Sequence, residues 1–183
     1  MSGFDDTMTD IRYTWVQVTA NDKAVVLSDP ALKRECSLAA GISRSPAIYR
    51  WGFYGSGRLA GACIGETENL SVRFRQYLNP GPSQETNKRM NAEFRAAIQR
   101  GEEIRLEIVK IAPVRLNRVH ICNENLCDPF LRKMMENFLL ADFDVVNLRL
   151  YNLILNPIER RKRAAGKNNP HLAMLRSMGV GVD

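Results

Sequence analysis

Histidine is scarce in this chain, and its scarcity argues against several kinds of active site. The sequence contains two histidines, His120 and His171, and neither lies in a metal-ligand pattern. A zinc centre and a histidine-dependent triad are therefore not predicted. The chain also has no G-x-S-x-G motif, and its segment GSGRLAG lacks the Gly-Lys-Ser/Thr ending of a phosphate-binding P-loop.

Cysteines and long apolar runs are also few. Of the four cysteines, only Cys122 and Cys127 lie close together, and no second pair follows at zinc spacing. Free thiols in a reducing compartment are the expected state. No apolar run reaches about 18 residues, so no membrane span is predicted. The N-terminal segment MSGFDDTMTD is acidic and lacks a signal-peptide pattern, so we expect a cytoplasmic protein.

Positive charge is present in excess. The net charge is +6, which favours a polyanionic partner. Residues 159–167, ERRKRAAGK, hold five basic residues and one acidic residue. They form either a solvated helix end or a contact with a phosphate backbone, to which lysine and arginine bind with release of counterions. The residues predicted to make this contact are Arg160, Arg161, Lys162 and Arg163.

Alternation of apolar and polar residues predicts strands at 11–19 and 103–111. Between them, the apolar segments PAIYRWGF and LAGACIG flank the turn signal YGSGR, which is typical of a β-hairpin. A turn centred on Ser56 would place Tyr49 directly opposite Cys63, on the same face, and Gly61 opposite Trp51.

Helical spacing and capping signals predict four helices. They span residues 29–41 with Asp29 as N-cap, 67–81 with Thr67 as N-cap, 83–101, and 128–143 with Asp128 as N-cap. Residues 112–128 are expected to be irregular.

Four polar residues on these elements suggest phosphodiester hydrolysis. Arg73 and Tyr77 are i,i+4 neighbours on one helix, and Glu136 lies at the margin of an apolar helical stripe. A carboxylate suits a hard divalent cation, an arginine can bind the scissile phosphate, and a tyrosine such as Tyr49 can orient the attacking water. Each residue alone also has a structural explanation: tyrosine packing, a surface ion pair for Arg73, and an ion pair between Glu136 and Arg132 or Lys133.

The same residues carry a resemblance to a known family. Ala47-Ile48-Tyr49 and Cys63-Ile64-Gly65 resemble the two motifs of the GIY-YIG nucleases, with alanine and cysteine as departures. Arg73 and Tyr77 match the positions of the family's helix that follows, and LRKMMENFLL resembles the helix that carries its metal-binding glutamate, here Glu136. The resemblance covers about residues 45–157.

This resemblance implies an α+β fold, in which a small three-stranded antiparallel sheet is flanked by helices. The nuclease domain would span 44–157, between an N-terminal extension, 1–43, and a basic C-terminal extension, 158–183. The implied site has Glu136 as ligand of one Mg²⁺ or Mn²⁺, Tyr49 near the nucleophilic water and Arg73 on the phosphate. Further implied site residues are Cys63, Tyr77 and Asn156.

The departures from the family motifs, and the segment 78–91, add three details to that site. Cys63 replaces the second tyrosine, and a thiol cannot reproduce a phenol's hydrogen bond, so we expect altered tuning or an inactive domain. Asn156 is preferred over Asn147 and Asn152 as the family's late asparagine. In residues 78–91, which link the helices predicted at 67–81 and 83–101, Asn87, Lys88 and Arg89 either contact the DNA backbone or form a solvated helix start.

The predicted function is therefore a metal-dependent DNA endonuclease. The alternative is a catalytically inactive nucleic-acid-binding module, and a third possibility is a regulatory or structural protein whose charge is incidental. A symmetric DNA target would require a homodimer.

Overall fold

The structure is a computed structural model that describes residues 11–116, 119–144 and 149–151. In chain order the strands are β1 (Tyr13–Gln17), β2 (Thr19–Ala20), β3 (Lys23–Ala24), β4 (Val26–Leu27), β5 (Ala47–Gly55), β6 (Arg58–Thr67), β7 (Glu103–Ile111), β8 (Val114–Leu116), β9 (Val119–Ile121) and β10 (Arg149–Leu150). The α-helices are α1 (Leu70–Leu78), α2 (Glu85–Gln99) and α3 (Pro129–Asp144), and 3₁₀ helices span Leu32–Gly41 and Asn123–Cys127.

The fold class is α+β, as predicted. The predicted hairpin and third strand form the centre of the main sheet, where β7, β5 and β6 are adjacent and antiparallel. The sheet is larger than the three strands expected, because β1 and β4 pair with β7 and the short β10 runs parallel to β6. The strand predicted at 11–19 is thus an edge strand of this sheet.

The register of the central hairpin differs from the prediction. The turn contains two residues, Ser56 and Gly57, both with positive φ (50° and 76°), so Gly55 pairs with Arg58. Positive φ at both central positions is the conformation of a two-residue hairpin turn that follows the twist of its strands. An irregularity between Phe53 and Tyr54 then shifts the pairing by one further residue.

As a result, Tyr49 lies opposite Gly65, and Trp51 lies opposite Cys63. The predicted pairing of Tyr49 with Cys63 was therefore wrong by two positions, and Gly61 faces Phe53 instead of Trp51. A register shift of two residues keeps each side chain on the predicted face of the sheet, because alternate residues of a strand point to the same side. Tyr49 and Cys63 still share one face of the sheet, as expected.

The sheet separates two apolar cores. On the face of Tyr49 and Trp51, the first core packs against α1 and α2, and it includes Phe74 and Phe94. On the other face, Ile48 and Ile64 pack against Met135 and Leu139 of α3. This arrangement places α1 and α3 on opposite faces of β5 and β6. A site built from both helices must therefore lie at an edge of the sheet.

The helices occur close to their predicted positions, with some differences in capping. Asp128 accepts hydrogen bonds from the backbone N–H groups of Phe130 and Leu131, so it caps α3 as predicted. The cap of α1 is Asn69, whose side chain accepts from Val72 N, whereas Thr67 binds Asn69 and lies outside the helix. The predicted helix 29–41 is a 3₁₀ helix that begins at Leu32.

Residues 112–128, which were expected to be irregular, contain the β8–β9 hairpin and a 3₁₀ helix. Strands β8 and β9 are only three residues long, which is too short for a periodic pattern to be recognised in the sequence. None of the helices in the described part of the chain combines the length and hydrophobicity that a bilayer crossing requires.

Candidate active site

One pocket at the edge of the sheet brings together most of the predicted site residues. It has a volume of about 220 Å³, and its lining includes Tyr49 on β5, Cys63 on β6, Arg73 and Tyr77 on α1, and Glu136 on α3. These residues span 88 positions of sequence, from 49 to 136. The pocket is also lined by Ile64, Gly65, Glu66, Thr86, Arg89, Met90, Lys133 and Tyr151.

The two tyrosines and the arginine form a closed hydrogen-bonded array. Arg73 Nε donates to Tyr49 Oη over 2.9 Å, and Arg73 Nη2 donates to Tyr77 Oη over 3.0 Å. The two hydroxyl oxygens are themselves 3.0 Å apart. The guanidinium carbon lies 4.4 Å from the centre of the Tyr77 ring, within the range of a cation–π contact. Each side chain of the array is thus held by both of the others.

The i,i+4 spacing of Arg73 and Tyr77 explains how α1 contributes two members of the array. Tyr77 points into the first apolar core, where its ring makes an edge-on contact with Trp51. Arg73 is only half-buried, and it reaches along the helix surface to the two hydroxyls. The apolar rings fix Tyr77, and Tyr77 in turn orients Arg73.

Gly65 makes room for the Tyr49 ring. A Cβ atom at Gly65 would lie 2.5 Å from Tyr49 Oη and 2.7 Å from Tyr49 Cζ, closer than non-bonded carbon and oxygen atoms approach. The tyrosine therefore lies directly over the backbone of its cross-strand neighbour. In the predicted register a different glycine, Gly61, lay opposite an aromatic residue, Trp51, so the contact of Tyr49 with Gly65 was not foreseen.

Burial keeps the hydroxyls and the thiol of the pocket neutral. It raises the pKa of Tyr49 to about 12, although the charge of Arg73 acts in the opposite direction. Burial likewise raises the pKa of Tyr77, and it raises the pKa of Cys63 to about 12 against the lowering effect of a hydrogen bond with Tyr77. At neutral pH, Tyr49 is therefore a phenol. When the Tyr77 hydroxyl donates its hydrogen bond to Tyr49 Oη, the Tyr49 hydroxyl can donate its own hydrogen bond to a third group in the pocket.

Two carboxylates line the pocket, and both have basic partners. Glu136 is buried and forms an ion pair with Lys133 on the same helix. Glu66 accepts from Arg132 Nε over 2.9 Å. Three cationic side chains also line the pocket, namely Arg73, Arg89 and Lys133. The lining therefore combines an excess of positive charge, which suits a phosphate, with carboxylate oxygens that suit a hard cation.

A magnesium or manganese ion bound in this pocket would have to keep most of its waters. The residues described by the structure contain no group of three or more histidine, cysteine or acidic side chains placed to hold a metal. Mg²⁺ is commonly bound through one or two carboxylates together with water and substrate phosphates. Glu136 would be the principal ligand, with Glu66 beside it. Glu66 was not predicted as a site residue, although it directly follows the Cys-Ile-Gly motif.

The residues predicted to bind nucleic acid fall into four groups. Arg89 lines the pocket. Asn87 is buried and its amide donates to Gln84, which argues against a contact with a DNA backbone. Lys88 is exposed and pairs with Glu85 outside the pocket lining. Arg160, Arg161, Lys162 and Arg163 lie outside the described residues, as do Asn156 and the other asparagine candidates, Asn147 and Asn152.

The raised pKa of Tyr49 predicts how stability depends on pH. The folded protein keeps the Tyr49 proton to about pH 12, whereas an unfolded chain releases it near pH 10. The free energy of unfolding should therefore be intact below pH 10 and should fall between pH 10 and about 12. Denaturant titrations over this range, with Tyr49→Phe as control, check the prediction. The variant should lose less stability than the wild type, and equal losses would contradict the assignment to Tyr49.

Comparison of the chain with protein-family models, with curated proteins and with solved structures gave no match.

Proposed function

We propose that this protein is a divalent-metal-dependent endonuclease that hydrolyses phosphodiester bonds in DNA. The observation that carries the proposal is the convergence in one pocket of the Tyr49–Arg73–Tyr77 array with the Glu136 carboxylate. Phosphodiester hydrolysis needs an oriented water, a cationic contact to the phosphate and a site for a hard cation. This pocket offers a residue suited to each task.

Arg73 is suited to hold the scissile phosphate. A guanidinium has five N–H donors, and three of those of Arg73 are directed to Tyr49, Tyr77 and Gln76. Within the described part of the chain, the remaining donors have no recorded partner and are suited to phosphate oxygens. The array fixes the plane of the guanidinium, so less conformational entropy is lost when the phosphate binds.

Tyr49 is suited to orient the attacking water. Its pKa of about 12 makes it a hydrogen-bonding phenol in the resting protein, and burial is the main cause. The phenol would accept from, or donate to, a water beside the phosphate held by Arg73. It becomes a general base only if its proton is drawn away during the reaction, for which the nearby Arg73 charge is favourable.

A metal ion held by Glu136 would polarise the phosphate and lower the pKa of a bound water. The chain's own contribution is to keep that carboxylate in place on α3, in the pocket that Tyr49 also lines. Polyanion binding is supported by the net charge of +6 and by Arg89 and Lys133 at the pocket rim. A palindromic target would require two copies of the chain.

Cleavage of supercoiled plasmid by the purified protein tests the proposal. With Mg²⁺ or Mn²⁺, we expect nicked or linear product, and we expect EDTA to prevent its formation. Arg73→Lys should reduce the rate by about 100-fold, because lysine keeps the charge but lacks the planar fork of donors that spans both hydroxyls and a phosphate. Branched and single-stranded DNA should be tested in parallel, because the pocket geometry does not select among these substrates.

A nucleic-acid-binding module without cleavage activity is the second candidate. It is favoured by one observation: both pocket carboxylates are already paired with basic side chains. That candidate is preferred if no metal and no substrate supports cleavage while DNA binding is retained. In that case Glu136→Gln should tighten DNA binding, since it removes a negative charge from a basic pocket.

A further inference from the structure

The ion pair between Lys133 and Glu136 has an unusual position for a helix-surface contact. Both residues line the pocket, and they are i,i+3 neighbours on α3. The side chain of Glu136 is 9% exposed, whereas that of Lys133 is 50% exposed. The carboxylate is therefore fixed in the pocket wall, and the ammonium group reaches it from the solvent side.

From this geometry we propose that Lys133 takes the place of the metal ion at Glu136 and moves to a substrate phosphate when the metal binds. The proposal rests on the proposed function, because it assigns a second role at the same site. A buried carboxylate without a cation is unfavourable, and Lys133 supplies the cation in the metal-free protein. A divalent ion at Glu136 would displace the lysine, since two cations compete for one carboxylate.

Lysine is suited to such an exchange. Its ammonium group is a compact charge on a flexible four-carbon chain, so it can swing without movement of the helix. Arg132, the adjacent residue, could not do the same. It is buried and bound to Glu66 and to the carbonyl oxygens of Leu126 and Cys127. Lys133 is therefore the adaptable cation at this end of α3.

Mn²⁺ binding, followed by electron paramagnetic resonance in the absence of DNA, provides the first test. Lys133→Met should bind Mn²⁺ about fivefold more tightly than the wild type, since the ion pair between Glu136 and the half-exposed lysine no longer has to be broken. Lys88→Met is the matched control. It removes an i,i+3 pair with Glu85 that lies outside the pocket lining, and it should leave Mn²⁺ affinity unchanged.

The salt dependence of DNA binding provides the second test. With a short duplex and Ca²⁺, which prefers the same oxygen ligands, Lys133→Met should lower the slope of log K against log salt by about one unit. Without a divalent ion the slopes of variant and wild type should agree, because Lys133 is then held by Glu136.

The outcomes separate this inference from the proposed function. If Lys133→Met binds Mn²⁺ no more tightly than the wild type, or lowers the slope equally with and without Ca²⁺, the exchange is overturned and the metal site stands. If Glu136→Gln binds Mn²⁺ as the wild type does, or if no form of the protein binds it, the metal assignment fails, and the exchange fails with it.

Discussion

Replacement of Glu136 by glutamine should reduce metal-dependent DNA cleavage by at least about 1,000-fold, because the metal contributes several kcal/mol of charge stabilisation in such reactions. Glutamine has nearly the same shape but no charge, so α3 and the pocket wall should keep their structure. The ion pair with half-exposed Lys133 contributes little to folding, and the free energy of unfolding should change by less than about 1 kcal/mol. Single-turnover cleavage rates and denaturant unfolding curves measure the two effects separately.

Glu85→Gln is the control for this experiment. It breaks an i,i+3 ion pair of the same kind on α2, but the residue is exposed and does not line the pocket. Cleavage by this variant should match that of the wild type. If Glu136→Gln retained cleavage within about threefold of the wild-type rate, a metal contribution of several kcal/mol from this carboxylate would be ruled out.

The second large effect is expected at Gly65. A methyl group there would lie 2.5 Å from Tyr49 Oη, so either the tyrosine ring or strand β6 must move. Displacement by about 1 Å from a reactive geometry can cost a factor of about 100 in rate. We also expect a loss of about 1–3 kcal/mol in stability, since the ring is buried against Gly65 and cannot move into solvent. Gly65→Ala should therefore reduce both cleavage and the free energy of unfolding.

Two further variants make this prediction specific. At Gly81, a Cβ atom would have no neighbour nearer than 3.7 Å. Gly81→Ala should therefore leave the cleavage rate and the free energy of unfolding nearly unchanged. In a Tyr49→Phe background, the closest atom to the new methyl group is gone. The stability cost of Gly65→Ala should then be smaller than in the wild type. Equal costs in both backgrounds would show that the hydroxyl is not responsible for the strain.

Much of the fold could be read from local patterns. The apolar segments on either side of YGSGR predicted the central hairpin, alternation over 103–111 predicted the third strand, and the helical stripes predicted α1, α2 and α3 near their observed limits. The helical signals are strong because each helix buries one face against the sheet, and the hairpin segments are apolar because both faces of β5 and β6 are covered. The register of the hairpin was mispredicted, because a two-residue turn and the irregularity near Phe53 depend on backbone conformation. Apolar alternation is blind to a shift of two residues.

The sequence by itself determined which side chains were candidates for the site, since the motif residues and the i,i+4 pair on α1 are local features. Only the tertiary structure decided that Glu136 lines the same pocket as Tyr49 and Arg73, because α3 is distant from α1 in sequence and packs on the opposite face of the sheet. The structure also added Gly65 as the space for Tyr49 and Glu66 as a second carboxylate of the pocket lining, and of the two basic partners considered for Glu136 it selected Lys133. These contacts join residues distant in sequence or depend on side-chain direction. They are set by packing at the sheet edge, which no pattern along the chain encodes.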